Sequence, residues 1–207
     1  KTRLCISGRK LLLDWVLSEG VQHTLCGKLV LEREGEHSER LEALVGRAKR
    51  RSVSAHMIDG HEVQALQPGL RAVSRAAWFP ESFVVDTGAF VESLQRALAR
   101  HRVAVCVEQE VLAIERQSSR FRVRARHRTW ACDHVVNASG VGAVRLARTL
   151  GVELMDVHLC RGDYFEWCNP PRHVSRLVYE VSRDVAGLGI HSTPGLGNPA
   201  RLGPDAR

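Results

Sequence analysis

The stretch Asp133-His134-Val135-Val136-Asn137-Ala138-Ser139-Gly140-Val141-Gly142-Ala143-Val144-Arg145-Leu146-Ala147-Arg148-Thr149 decides how the rest of the chain is read. Val135 and Val136 belong to a short apolar strand pattern over 133–138, and Asn137 through Gly140 add almost no side-chain bulk. From about Gly142 a helical pattern runs to residue 150, with Val144, Leu146 and Ala147 as its apolar positions. Small residues between a buried strand and a helix N-terminus let a ligand approach the backbone, and the helix end favours negative charge. That combination suits the diphosphate or ribose of a dinucleotide. Any tight strand-to-helix turn also wants small residues, so the neighbourhood has to decide.

Working outward, short strands are expected at 103–107, 110–116, 120–126 and 128–131, a small antiparallel meander leading back to a parallel strand at 134–137. Upstream the texture is helical, over 9–19, 36–51 and 87–100. Asp86 caps the last of these, and Phe90, Val91, Leu94, Ala97 and Leu98 form its apolar face. Asp59-Gly60-His61-Glu62 reads as a capping box, with Asp in place of Ser or Thr, opening a short helix to Leu66. Downstream, strands are expected near 157–168, 175–182, 187–193 and 200–203, joined with 25–31 and 56–58 in a mixed or antiparallel sheet. The fold class is therefore α/β (α+β), in two parts.

Composition narrows the function. A chain of 207 residues with 44% hydrophobic and 26% charged residues can bury a core and is of the soluble globular type. No run of 18 apolar residues appears, so a spanning helix is not expected. The net charge of +7 rests largely on arginine. Arg120, Arg122, Arg124, Arg126 and Arg128 alternate with smaller or apolar residues, which puts all five on one strand face. A solvated sheet face explains them, with peripheral membrane contact as the alternative. Without zinc-finger spacing or an aromatic-interleaved basic patch, no nucleic-acid partner is expected. The six cysteines show no CxxC pair and His61-Glu62 has no second histidine four residues on, so no metal site is expected. Buried free thiols, Cys106 among them, fit a reducing compartment, here the cytoplasm.

Five segments in order then carry a resemblance. They are Cys26-Gly27-Lys28-Leu29-Val30, Pro80-Glu81-Ser82-Phe83-Val84-Val85-Asp86, Val135 through Gly140, Arg161-Gly162-Asp163-Tyr164, and Leu188-Gly189-Ile190-His191-Ser192-Thr193 with Leu202-Gly203-Pro204-Asp205-Ala206. Together they resemble FAD-dependent oxidoreductases of the D-amino-acid-oxidase type, most closely the L-2-hydroxyglutarate oxidase/dehydrogenase branch. The family opens with a Gly-x-Gly-x-x-Gly turn for the FAD diphosphate, and closes with a glycine-containing segment over the flavin. Neither occurs here, so the chain is expected to be an internal portion. On this resemblance residues 1–80 and 151–207 supply a substrate domain and 81–150 part of an FAD-binding domain.

The resemblance also implies roles. Ala138, Ser139 and Gly140 would lie near the ADP half of FAD, and Val111 would offer its backbone to the adenine. The implied reaction oxidises an (S)-2-hydroxy acid, L-2-hydroxyglutarate, to the 2-oxo acid, with oxygen or a quinone as the electron acceptor. His191, in a Gly-x-His-x-Thr context, is the expected base, and Arg161 a carboxylate partner. Tyr164 and Tyr179 could hydrogen-bond a carboxylate, though amphipathic packing explains each equally well. Two alternatives stand beside this: a truncated, inactive fragment or interaction domain without cofactor, and a glycine- or sarcosine-type flavin amine oxidase.

Overall fold

The computed structural model describes residues 2–33, 39–70, 73–153, 157, 159–169, 174–181, 189–197 and 199–206. Residues 36–38, 158, 182 and 187–188 of the expected elements lie outside them. The chain divides into two compact units, one of Lys1–Ala97 with Cys160–Arg207 and the other of Leu98–Leu159. The divisions fall after 97 and after 159, whereas the sequence placed them after 80 and 150.

The larger unit begins with α1 (Thr2–Ser18) and the two-residue strand β1 (His23–Thr24). Then follow β2 (Lys28–Arg33), α2 (Glu39–Lys49), β3 (His56–Asp59), α3 (Gly60–Leu66), β4 (Val73–Phe79), β5 (Val84–Val85) and α4 (Thr87–Arg100), which runs up to the division. The first helix starts seven residues earlier than the sequence pattern suggested. Leu4 and Leu11 on it are exposed, and only Val16 is buried, so its early turns carry no core-facing stripe to be read. The Trp15 indole donates to Ser93 Oγ at 2.8 Å and so ties α1 to α4.

The smaller unit holds β6 (Val111–Gln117), β7 (Arg120–Ala125), β8 (Thr129–Cys132), a 3-10 turn at Gly140–Gly142 and α5 (Ala143–Thr149). The chain then returns to the larger unit with β9 (Gly162–Trp167), β10 (Leu177–Glu180), β11 (His191–Thr193) and β12 (Ala200–Ala206).

Among the described residues, seven strands form one sheet in the order β3-β4-β2-β10-β11-β12-β9. Its pairings are antiparallel except for β2 with β10. Side chains alternate across a strand, and here each face has its own helix. Val30, Ala77 and Phe79 pack with Leu41 and Val45 of α2. Leu29 and Ala76, one residue out of step, pack with Val63 of α3. The capping box at the start of α3 is present in full: Glu62 N–H donates to Asp59 Oδ1 at 2.9 Å, and Asp59 N–H donates to Glu62 Oε2 at 3.0 Å. Asp86 caps α4 through Ala89 N–H at 3.0 Å. Glu32, 1% exposed, reaches Arg75, whose other guanidinium nitrogen meets Glu42 of α2 at 2.8 Å.

In the smaller unit β6, β7 and β8 form the expected antiparallel meander, and α5 packs on β6. Thr149 Oγ1 accepts from Ile114 N–H at 2.9 Å and closes that contact. Two expectations fail. Residues 103–107 and 134–137 are not strands, and Val107 and Val136 are 75% and 89% exposed. Each has strand-like sequence, but a ladder needs a neighbour, and among the described residues neither segment has one. Cys106 is accordingly exposed, as are Cys5, Cys160 and Cys168; only Cys26 is a buried thiol. The arginines of 120–126 are also less free than the sequence suggested. Arg120 pairs with Asp133 at 2.9 Å and Arg126 with Glu110 at 2.8 Å, while Arg122 and Arg124 flank Glu115. No described helix is long and apolar enough to cross a membrane, and no described cluster could hold a metal ion.

Candidate active site

Strand register builds the site. Across the large sheet Ala77 pairs with Val30, Val30 with Tyr179, Tyr179 with His191 and His191 with Gly203. These residues share one row and one face, the face that α2 covers at its β2–β4 end. His191, 8% exposed, stacks its ring on Tyr179 at 4.3 Å between centroids and 5° between planes. Tyr164 closes the other side of His191 edge-on at 5.8 Å. It does so across Gly203, where a Cβ would fall 2.8 Å from Tyr164 Cδ1 and 2.7 Å from the Asp163 carbonyl oxygen. A glycine at 203 is what lets the phenol ring reach the histidine.

The histidine's tautomer follows from one contact. His191 Nδ1 lies 3.1 Å from the Gly189 carbonyl oxygen, which can only accept. In the neutral ring Nδ1 therefore carries the proton and the lone pair lies on Nε2, which has no hydrogen bond among the described residues. Burial raises the Tyr179 phenol above its ordinary pKa of 10.0, helped by Tyr164 and Cys26, so it stays protonated and able to donate. The structure thus sandwiches His191 between two rings.

Of the four residues singled out for chemistry, His191, Tyr164 and Tyr179 come together. Arg161 does not join them. Its side chain is 81% exposed and is held by Asp163 Oδ1 at 3.0 Å, a local pair two residues apart. A residue that sequence reasoning passed over is Lys28, on the same face and one row along, paired with Leu177 and Phe79. Its ammonium rests 4.8 Å over the Phe79 ring and 5.6 Å from the Tyr179 ring centroid, and burial lowers its pKa from the ordinary 10.5. The available signal was a lysine inside the otherwise apolar Cys26–Leu31 run.

A cavity of about 330 Å³ borders the same strands, with Leu31, Val178, Ser192 and Leu202 in its wall. By alternation these four project from the opposite face. Tyr179 and His191 border it from within their strands, but their rings belong to the other side.

In the smaller unit the small-residue turn is held open. Asn137 Nδ2 donates to the Ala143 carbonyl at 2.9 Å, and Ser139 Oγ donates to Asn137 Oδ1 at 2.7 Å. Gly140 sits at φ +57° with open space around its Cβ position. Ala138, Ser139 and Gly140 are exposed, so a group can come up to this backbone. Val111 lies beside a bulge in β6, and its carbonyl accepts from Arg145 at 3.5 Å.

The model of the family described as FAD dependent oxidoreductase matches residues 1–207. The chain belongs to that family. Among curated relatives, this chain is 28% identical over 244 residues to an L-2-hydroxyglutarate dehydrogenase, mitochondrial, of Arabidopsis thaliana, covering 99% of this chain and 50% of that protein. It is 25% identical over 226 residues to the protein of the same name from Homo sapiens, covering 100% and 48%. The chain thus spans about half the length of the curated relatives it matches. Among solved structures, L-alpha-glycerophosphate oxidase from Mycoplasma pneumoniae, solved with FAD bound, superposes with a TM-score of 0.87 at 22% identity, over 98% of this chain and 55% of that one. Glycine oxidase from Geobacillus kaustophilus gives 0.84 at 20% identity, over 99% and 55%. At these identities the structures establish the shared fold.

Proposed function

We propose that the protein to which these residues belong oxidises an (S)-2-hydroxy acid, L-2-hydroxyglutarate, to its 2-oxo acid, with His191 as the base. One observation carries this reading: a histidine whose Nδ1 is engaged by the Gly189 carbonyl, with no partner on Nε2 among the described residues, between two tyrosine rings. FAD, when bound, supplies the two-electron acceptor for such a reaction. His191 Nε2 takes the hydroxyl proton, and stacking on Tyr179 keeps the imidazole from rotating away. The protonated Tyr179 phenol is a donor for an oxygen of the substrate. Ala138, Ser139 and Gly140 would hold part of the nucleotide by their backbone, with Val111 beside them. The names of the curated relatives support the substrate.

Two further readings belong here. The six unbridged cysteines support a reducing compartment. Oxygen or a quinone would be the final electron acceptor; the ion-paired arginines of β7 add no argument for a membrane surface.

The deciding experiment is His191→Ala in the flavin-loaded protein. Reduction by L-2-hydroxyglutarate is expected to slow by about two to four orders of magnitude, the range for losing a general base. Flavin content should hold. A variant that reduces its flavin at the wild-type rate would remove His191 from the chemistry.

A further inference from the structure

Four arginines of the larger unit already have a carboxylate. Arg9 is paired with Glu81, Arg75 with Glu32 and Glu42, Arg161 with Asp163 and Arg201 with Glu166. Lys28 differs. Among the described residues no carboxylate lies within ion-pair distance of it, and its ammonium is set against the rings of Phe79 and Tyr179. Its strand position puts it on the face of the sheet that carries Tyr179, His191 and Tyr164. Strands β2 and β11 are separated by β10 alone. Two strand spacings amount to about 10 Å between backbones. The Tyr179 ring stands between the two side chains, stacked on His191 and 5.6 Å from the ammonium, so a ligand that reaches both would run along that phenol and need two polar ends, as a short dicarboxylate has.

We propose that Lys28 binds the carboxylate of the substrate that lies remote from the reacting hydroxyl, and thereby selects dicarboxylic over monocarboxylic 2-hydroxy acids. The proposal rests on His191 marking the reacting carbon, as argued above. An ammonium on two aromatic faces keeps part of its charge balanced by ring quadrupoles, yet its outward N–H donors still need an acceptor. A carboxylate arriving there makes charge-assisted hydrogen bonds with little competing water. Desolvation of Lys28 works in the same direction, because an incoming anion restores the charged form that burial disfavours. Arg161, the cation the sequence offered for this task, is exposed and already paired.

Calorimetric binding to the flavin-loaded holoenzyme tests this without turnover, with 2-oxoglutarate and pyruvate as dicarboxylate and monocarboxylate probes. Lys28→Met keeps the stem over the rings and removes the charge. It is expected to weaken 2-oxoglutarate about 10- to 100-fold, the scale of a charge-assisted contact, and to leave pyruvate within about threefold. Lys28→Arg should restore most of the preference for 2-oxoglutarate. The proposal is overturned if Lys28→Met binds 2-oxoglutarate as the wild type does, or if both probes weaken equally. Should Lys28→Met fold poorly, Lys28→Gln gives the same affinity ratio. His191→Ala should keep that ratio while losing flavin reduction, so a failure of the base assignment shows in the rate and a failure of the lysine assignment in the binding.

Discussion

Gly203→Ala is the substitution that most directly probes how the site is built. A Cβ there would lie 2.8 Å from Tyr164 Cδ1, 3.0 Å from Tyr164 Cγ and 2.7 Å from the Asp163 carbonyl oxygen, and Gly203 holds φ +149°. Two costs combine. A positive φ on an L-residue costs about 1–2 kcal/mol. Forcing a methyl into filled space costs about 1–3 kcal/mol, because the backbone oxygen cannot swing aside as a side chain can. The sum is about 2–5 kcal/mol. Gly197→Ala provides the comparison, since Gly197 has φ +75° and nothing within 4 Å of its Cβ position. That variant should lose only the conformational part. Urea unfolding of both variants measures the difference, expected at about 1–3 kcal/mol in favour of Gly197→Ala. Gly203→Ala should also slow flavin reduction, because Tyr164 must leave the edge of His191. If the two variants are equally stable, Tyr164 does not pack across Gly203 and the aromatic sandwich is wrongly described.

Other outcomes follow from single features. Asp59→Ala removes the side-chain half of the capping box of α3, the Oδ1 that accepts from Glu62 N–H, and should lower stability by about 1 kcal/mol in urea unfolding. Burial raises the Cys26 thiol above its ordinary pKa of 9.0, so it should resist a disulfide exchange reagent until the protein unfolds, whereas Cys5, Cys106, Cys160 and Cys168 react in the folded state. Lys28 has a folded pKa below its unfolded 10.5, so the unfolded chain binds that proton more readily. Its burial is therefore a stability cost at neutral pH that fades as pH rises towards 10.5. Parallel melts of wild type and Lys28→Met should show the variant's relative advantage shrinking over that alkaline range.

The sequence carried local features well and long-range ones unevenly. Caps at Asp59 and Asp86, the helix 87–100 and the alternation of β7 depend on neighbours within a few residues, and all are present. Residues 103–107 and 134–137 show the opposite case. Alternating valines record a tendency to be sheet, but pairing is decided by a partner strand, and none stands beside them among the described residues. At the site, residues 164, 179 and 191 were each visible as candidates. Their meeting depends on β10 lying between β2 and β11 in a particular register, which no single segment encodes. Lys28 went unremarked because a lysine in a strand ordinarily snorkels to water; the rings of Phe79 and Tyr179, both from other strands, make its position unusual.

The parallel pairing of β2 with β10 also has a consequence in time. During synthesis β2, β3 and β4 are complete long before Leu177–Glu180 exists, so their antiparallel ladder can close early on the helices beside them. The free edge of β2 must then wait for the whole meander to be made. At ordinary elongation rates that interval is on the order of ten seconds. Throughout it the N–H and C=O groups of Lys28–Leu31 lie open to any passing strand. A charged residue on an exposed edge discourages such encounters, and Lys28 stands at the beginning of this one. The lysine that later serves the site thus also guards the nascent chain while the sheet is half built.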